Sequence, residues 1–295
     1  MARFALPAVL LGAFILSSSA IFVRLSEAGP LATGAYRMLL PLPVFWQWMM
    51  LERPGGDATP ARGWPATPRD VWIIVLSGVF YAADLAAWHI AIGMTTVANA
   101  TVLANTAPVF VALAAFVLFR EHVTRLFLGG LVLALAGAAI LMRASFAVSA
   151  ETFLGDVLSV LTATFYAGYI LTVARVRRRA SIAAVLAIGG LTAGMILAIA
   201  SWALGEQLVP VSVSGWLWLF GLAYICQVGG QSLVTGALAY LPASFGAVAL
   251  LVQPIGTAIL GWIVLSEAVT VDKALGIAAI LAGIWLARKG TPKVP

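Results

Sequence analysis

A long segment of this chain occurs twice, 146 residues apart and without a gap. Residues 102–138 (VLANTAPVFVALAAFVLFREHVTRLFLGGLVLALAGA) align with residues 248–284 (VALLVQPIGTAILGWIVLSEAVTVDKALGIAAILAGI). Identical pairs include Pro108 with Pro254, Glu121 with Glu267, Thr124 with Thr270, and Gly130 with Gly276. A repeat of this length indicates two copies of one structural unit. We therefore divide the chain into a first repeat, residues 1–147, and a second repeat, residues 148–295.

The composition is that of an integral membrane protein. Hydrophobic residues make up 62% of the chain and charged residues only 9%, whereas soluble domains carry about a quarter charged residues. The net charge of +6 does not indicate nucleic-acid binding, because the basic residues lie in membrane loops rather than on a polar surface. One cysteine, Cys226, and two histidines exclude an internal disulfide and argue against a multi-ligand metal site. No cofactor is predicted.

Ten stretches are long and apolar enough to cross a bilayer as helices, which requires about 20 residues each. They cover residues 5–25, 31–51, 70–93, 96–119, 124–142, 152–174, 182–204, 213–239, 243–265 and 270–288. The first stretch also has the basic start and small residues of a signal peptide, whose removal would leave nine spans. Its apolar run continues through Val23, past the small residues, and this favours a retained helix. The longest connection, Glu52–Arg69, is rich in Pro and Gly and is typical of a loop.

The basic residues also predict the orientation of the chain. With the amino terminus in the cytoplasm, thirteen Lys and Arg residues lie inside, and only Arg24, Arg143 and Lys273 lie outside. Both termini are therefore expected in the cytoplasm. Because five helices per repeat is an odd number, the second repeat must enter the membrane upside down. The predicted fold is all-α, with ten transmembrane helices in two inverted five-helix repeats.

Two prolines occupy corresponding places in spans four and nine. Pro108 and Pro254 each remove one helical hydrogen bond, and hydrocarbon tolerates such a defect only where it faces protein or a wet cavity. Paired interruptions of this kind point to a binding site between inverted repeats. We predict that both prolines are hinges or cavity walls, with a simple packing kink as the alternative.

Span three carries the most unusual helical face. Tyr81, Asp84 and Trp88 are spaced by three and four residues and so share one face of the helix. His89 follows Trp88 directly and lies beside this face. An acid within a span indicates function, because hydrocarbon cannot solvate it. The expected partner of Asp84 is Arg37, at a similar depth in span two. A structural ion pair, contact with substrate and proton coupling through Asp84 all remain open.

The other candidate binding residues are amides and tyrosines within the spans. They are Asn99 and Asn105 in span four, Tyr166 and Tyr169 in span six, Gln227 and Gln231 in span eight, and Gln253 next to Pro254. Interhelical hydrogen bonding is the structural alternative for each amide.

Two acids and two threonines of the repeat are assigned structural roles, with a gate or proton site as the alternative for the acids. Glu121 and Glu267 end spans four and nine, and each is followed by a threonine that begins the next helix. Thr124 and Thr270 are expected to be helix N-caps, with the acids near the positive ends of those helices.

The recurring pattern is a Pro followed thirteen residues later by Glu-x-Val-Thr, then Gly and Ala-Gly, in each of two five-helix halves. It resembles the drug/metabolite transporter superfamily, EamA type, over essentially the whole chain. Within it the chain is most similar to the YddG-type exporters of amino acids, chiefly aromatic ones. The resemblance implies a basket of helices around a central cavity and export across the bacterial inner membrane.

The predicted function is export of small metabolites, namely aromatic and other neutral amino acids, by alternating access. The predicted transporter is a monomer that contacts lipid and its substrate but no nucleic acid. Another small metabolite or drug of the same superfamily, such as a purine, a sugar or a cationic drug, is the alternative. A selective ion pore is disfavoured, because the selectivity filter of a pore usually repeats around an axis normal to the membrane. The axis that relates two inverted repeats lies in the plane of the membrane instead. An intramembrane enzyme is disfavoured because no nucleophile and base, or pair of deep acids, is recognisable.

Overall fold

The chain is helical throughout the part that the structure describes. The structure is a computed structural model and describes residues 4–52, 64–95, 97–121, 123–141, 153–177, 179–265 and 270–291, in which there is no β-strand. The first-repeat helices are α1 (Ala5–Ser17), α2 (Ser19–Leu25), α3 (Pro30–Leu39), α4 (Leu42–Leu51), α5 (Pro68–Met94), α6 (Val97–Ala104), α7 (Ala107–Phe119) and α8 (Arg125–Leu141). The second-repeat helices are α9 (Phe153–Val176), α10 (Ile182–Ala203), α11 (Val213–Gly221), a π-helical segment (Leu222–Gln231), α12 (Ser232–Ala237), α13 (Ala243–Ala249), α14 (Val252–Leu265) and α15 (Val271–Gly290).

Seven helical stretches within the described ranges are long and apolar enough to cross a membrane. They are Ala5–Leu25, Pro68–Trp88, Ala100–Leu118, Phe153–Val176, Ile182–Ala203, Val213–Ala237 and Ala243–Leu260, and Arg125–Leu141 is a shorter apolar helix. The predicted span 31–51 differs because it is divided into α3 and α4, of 10 residues each. The predicted span 270–288 differs because α15 carries charged residues in its first and last turns. The total of ten membrane crossings stays a prediction.

Several predicted spans consist of two helices in line. The breaks in spans four and nine lie at Asn105–Thr106 and Leu250–Leu251, and they correspond in the repeat to within one residue. The sequence predicts that Pro108 and Pro254 interrupt spans four and nine by removing a hydrogen bond inside each helix; the spans are interrupted, but no helical bond is lost at the prolines themselves. Both prolines instead lie in the first turn of a new helix, where a residue needs no intrahelical N–H donor.

The most extensive helix contact joins α8 to α15, which are corresponding helices of the two repeats. Four glycines allow their backbones to touch. A β-carbon on Gly130 would lie 2.6 Å from the carbonyl oxygen of Gly283, and one on Gly137 would lie 2.7 Å from that of Gly276. The pairing of 130 with 283 and of 137 with 276 shows that α8 and α15 run antiparallel. We call this contact the glycine seam.

The other helices form a bundle in which the two repeats are mixed. α10 packs against α3, α4 and α5, while α9 packs against α5, α6 and α7. α1 packs against α14, α12 and the π-helical segment. Elements of both repeats therefore meet in the interior, and the candidate site lies where α3, α5, α9 and the π-helical segment come together.

Candidate functional site

Polar and aromatic side chains from four helical elements form a series of contacts that the backbone of the π-helical segment closes into a ring. Two of the elements, α3 and α5, belong to the first repeat, and α9 and the π-helical segment belong to the second. The residues of this central ring are Arg37, Tyr81, Tyr169, Gln227 and Gln231, and Asp84 and Tyr166 lie beside it.

Three tyrosine rings form a stack between α5 and α9. The Tyr81 and Tyr169 ring centroids lie 4.5 Å apart with an interplanar angle of 20°. The Tyr166 ring lies 6.0 Å from that of Tyr169, also at 20°. Tyr81 and Tyr169 are buried, whereas Tyr166 keeps partial exposure. Stacked rings of this kind present π faces and hydroxyl groups to a neighbouring molecule.

The π-helical segment supplies the two buried amides of the ring. Gln231 donates from Nε2 to the Tyr169 hydroxyl at 2.7 Å. Gln227 accepts a hydrogen bond at Oε1 from Arg37 Nε at 3.2 Å. Both glutamines are 2% exposed. Because a π turn holds more residues than an α turn, it changes the direction of the side chains that follow, and such turns often mark functional sites.

Arg37 uses only part of its guanidinium group for contacts within the central ring. Besides the Nε bond to Gln227, its Cζ lies 5.9 Å from the centroid of the Tyr81 ring, within the range of a cation–π interaction. A structural ion pair with Asp84 is one of the alternatives that the sequence leaves open for Arg37. Among the described residues, no ion pair within 4.0 Å joins Arg37 to Asp84.

Asp84 is a buried carboxylate beside this arginine. Its side chain is 8% exposed, and the charge of Arg37 acts on it through space. The interior thus holds a guanidinium group and a carboxyl group that act on each other through space but form no ion pair within 4.0 Å. Such a pair can receive a molecule that carries both charges.

Other predicted binding residues lie outside this ring. Asn105 lies in the break between α6 and α7, and its buried Nδ2 has no hydrogen-bond partner among the described residues. Gln253 is partly buried in the first turn of α14, and Trp88 is partly buried on α5. The side chains of His89 and Asn99 fall outside the described part of the chain.

The threonines of the repeat make N-cap contacts. Thr124 Oγ1 accepts from the Phe127 N–H at 3.1 Å, and Thr270 Oγ1 accepts from the Lys273 N–H at 3.3 Å. Glu121 lies elsewhere than expected, since its carboxylate accepts from the first N–H groups of α13 rather than facing α8. The Ser244 hydroxyl also donates to this carboxylate, so three donors of the second repeat occupy its two oxygens. Glu267 lies outside the described residues.

Sequence reasoning missed the loop acids Glu27 and Glu206, which accept hydrogen bonds at the amino ends of α11 and α3. Their partners lie more than 170 residues away in the chain, so no local pattern marks them. No three His, Cys, Asp or Glu side chains in the described ranges come together as a metal site would require.

The chain matches known proteins over nearly its full length. The EamA-like transporter family matches residues 3–143 and again residues 153–288. An uncharacterized transporter from Archaeoglobus fulgidus is 27% identical over 283 residues, which is 92% of this chain and 93% of that protein. A protein known from a crystal structure shares the fold with a TM-score of 0.78 at 17% identity, over 97% of this chain and 96% of the other.

Proposed function

Because this chain belongs to the EamA-like transporter family, we propose that it exports small neutral amino acids, chiefly aromatic ones, with the central ring and Asp84 as the binding site. Membership of the family makes it a multi-pass membrane transporter of small substrates. The nature of the substrate, the direction and the mechanism are the proposal.

The observation that carries the proposal is the separation of Arg37 from Asp84. The Arg37 Nε is held by Gln227, and its two terminal nitrogens remain to bind a carboxylate in the bidentate manner that guanidinium groups favour. Asp84 offers a carboxylate to an ammonium group. A zwitterion satisfies both charges at once, whereas a polyanion would require several basic groups.

The tyrosine stack supports an aromatic or other planar substituent on that zwitterion. Tyr166 is the outermost ring of the stack and keeps partial exposure, and we assign the contact with the planar substituent to its ring face. Stacking on such a face is worth about 0.5–1.5 kcal/mol beyond burial. An aliphatic neutral amino acid would bind the charged groups equally and lose only this contribution.

We further propose ten membrane crossings in two inverted repeats, with both termini in the cytoplasm. The double family match supports the repeat. The antiparallel course of α8 and α15, which correspond in sequence, supports the inversion. In inverted-repeat transporters the site lies between the repeats and opens to each side in turn, and the paired breaks before Pro108 and Pro254 are the natural places for bending.

A cysteine at Ser149 and another after Lys293, each in a chain that lacks Cys226, test this orientation. In intact cells a membrane-impermeant thiol reagent should label the first and spare the second. The reverse result contradicts the orientation and, with it, the inversion.

The second candidate is export of an organic cation, because Asp84 beside three tyrosine rings is also a suitable site for one. Transport involves no chemical step in either case. We expect gradient-insensitive, facilitated movement by a monomer in the bacterial inner membrane.

Transport by purified protein in proteoliposomes decides between these substrates. Labelled phenylalanine, tyrosine, leucine, a purine, a sugar and a quaternary ammonium compound form the panel, with and without a pH gradient. The proposal requires saturable movement of the amino acids. Movement of the cation alone would favour the second candidate, and uphill movement driven by protons would contradict facilitated transport.

A further inference from the structure

Three glutamates make the same kind of contact at the amino ends of helices from the other repeat. Each carboxylate accepts hydrogen bonds from two consecutive backbone N–H groups and from one serine hydroxyl. The acceptors are Glu27, Glu206 and Glu121. The first N–H groups of a helix have no intrahelical partner and carry partial positive charge, so a carboxylate is well placed there.

Glu27, in the loop between α2 and α3, holds the start of α11. Its Oε2 accepts from the N–H groups of Val211 at 2.9 Å and Ser212 at 3.0 Å, and its Oε1 accepts from the Ser212 hydroxyl at 2.5 Å. The hydrogen bond from the Ser212 hydroxyl, followed by the backbone bonds, holds the pKa of Glu27 below its usual value. The Glu27 carboxyl group is therefore ionised at neutral pH, as these hydrogen bonds require.

Glu206, in the loop between α10 and α11, holds the start of α3 in return. Pro30 at the first position of α3 has no N–H, so the free donors are those of Leu31 and Ala32. They reach the two carboxylate oxygens of Glu206 at 3.3 and 2.9 Å. Ser201 Oγ donates to the same carboxylate at 3.1 Å and fixes its position.

The two loops are also joined through their backbones. The N–H of Gly29 donates to the carbonyl oxygen of Gln207 at 2.8 Å. Glu27 contributes three bonds between the repeats, Glu206 contributes two and this backbone bond makes six. The repeats cannot separate on this side while these six bonds remain.

The helices held in this way are those that build the central ring. Arg37 lies on α3, six residues after Leu31 and so about 9 Å further along the axis. Gln227 lies on the π-helical segment that continues α11. A movement of either helix start is therefore passed along a rigid helix to the contact between Arg37 and Gln227.

We propose that Glu27 and Glu206 form the outer gate of the transporter and that the structure shows this gate closed. Opening breaks the reciprocal caps, swings the starts of α3 and α11 apart and loosens the Arg37–Gln227 contact. This inference rests on the proposed function and orientation. Glu121, which caps α13 near the opposite face, lies outside the gate and provides a matched control.

The single cysteine of the chain is a natural reporter for gate opening. Cys226 precedes Gln227, is fully buried, and has its Sγ 3.2 Å from Ser18 Oγ. In intact cells, a membrane-impermeant maleimide should label Cys226 slowly in the otherwise unchanged protein. Labelling should be at least 10-fold faster in Glu27→Ala and Glu206→Ala, and unchanged in Glu121→Ala. A Cys226→Ala chain gives the background.

Equal labelling rates in all four proteins would overturn the proposal, as would faster labelling in Glu121→Ala alone. The reporter requires no substrate, so its result is independent of the proposed amino-acid transport. If labelling follows the expectation and no amino acid moves in proteoliposomes, the gate stands and the proposed substrate fails.

A crosslink across the closed gate provides a second measurement. Cysteines replace Glu27 and Ser212 in a Cys226→Ala chain and are joined by a short bis-methanethiosulfonate, which forms a disulfide with each thiol, releases sulfinate and is cleaved by a reducing agent. The crosslink should reduce transport at least 10-fold, and cleavage should restore it. The same reagent should have no effect on either single-cysteine chain. Transport that continues at the uncrosslinked rate would show that the gate does not need to open.

Discussion

The glycine seam and the central ring are both contacts between the two repeats, but different groups form them, backbone in the seam and side chains in the ring. In the seam, backbone touches backbone across glycines, and a single added methyl group would have no room. In the ring, long polar side chains meet at 2.7 to 3.2 Å, and Asp84 is left without direct ion pairing to Arg37. The comparison indicates that the seam leaves no space between the repeats, whereas the ring joins them through polar side chains that could exchange partners.

The largest expected effect is on the seam. Gly130→Leu should strongly destabilise the fold, because a β-carbon there would lie 2.6 Å from the carbonyl oxygen of Gly283 and overpacking typically costs about 1–3 kcal/mol. Gly129→Leu is the matched control, since a β-carbon there meets nothing within 4 Å. Membrane-extracted yield and thermal stability measure both. Equal stability of the two variants would contradict the seam.

Arg37 should give the largest effect on transport with little effect on folding. Arg37→Gln removes the charge that we assign to the substrate carboxylate, and hydrogen bonds to charged groups contribute about 1.5–3 kcal/mol. An increase of about 10- to 150-fold in KM for amino acids follows. Transport kinetics and thermal stability should be measured on the same preparation. A large loss of stability with unchanged KM would make Arg37 a structural residue.

Asp84 should give a smaller and more selective effect. Asp84→Asn should raise the KM for amino acids, yet leave unchanged the movement of a matched carboxylate that lacks the amino group. Arg37→Gln should affect both compounds. If Asp84→Asn instead unfolds the protein and joint replacement of Arg37 restores it, the two residues form a structural pair. If Asp84→Asn removes only the response of transport to a pH gradient, Asp84 couples proton movement to transport.

The smallest expected effect is on the support of the tyrosine stack. Gln231→Leu removes the donor to the Tyr169 hydroxyl and should weaken transport about 5-fold, since such a bond contributes about 1 kcal/mol. Tyr169→Phe removes the same bond from the other side. The double variant should therefore be no worse than either single variant. Additive losses would show that the two side chains act independently.

Much of the fold could be predicted from the sequence because apolar length and repetition are local properties. The predicted spans near 182–204 and 213–239 agree closely with α10 and with α11 to α12. The spacing of Tyr81 and Asp84 predicted that both lie on one face of α5, and this face carries Tyr81 of the central ring with Asp84 beside it. The prolines predicted interruptions in the right spans, although the breaks lie just before them.

The partners of the site residues could not be predicted in the same way. Arg37 donates to Gln227, 190 residues away, because the π-helical segment places that amide in reach, and nothing in LAYICQVGGQ marks a π helix. The cap that Glu27 forms on α11 likewise joins residues that lie far apart in the chain. Such contacts depend on how distant helices pack, and one sequence contains no direct record of this.

The glycine seam has a consequence for how such a chain can be divided. Gly130 corresponds to Gly276 and Gly137 to Gly283, so exchanging the two repeats turns the contact of 137 with 276 into that of 283 with 130. Each half therefore carries both sides of one self-complementary surface, as in a two-fold homodimer. If the chain is cut between residues 141 and 153, the two separately expressed halves should reassemble through this surface. Because the surface is self-complementary, two copies of the same half could also associate through it.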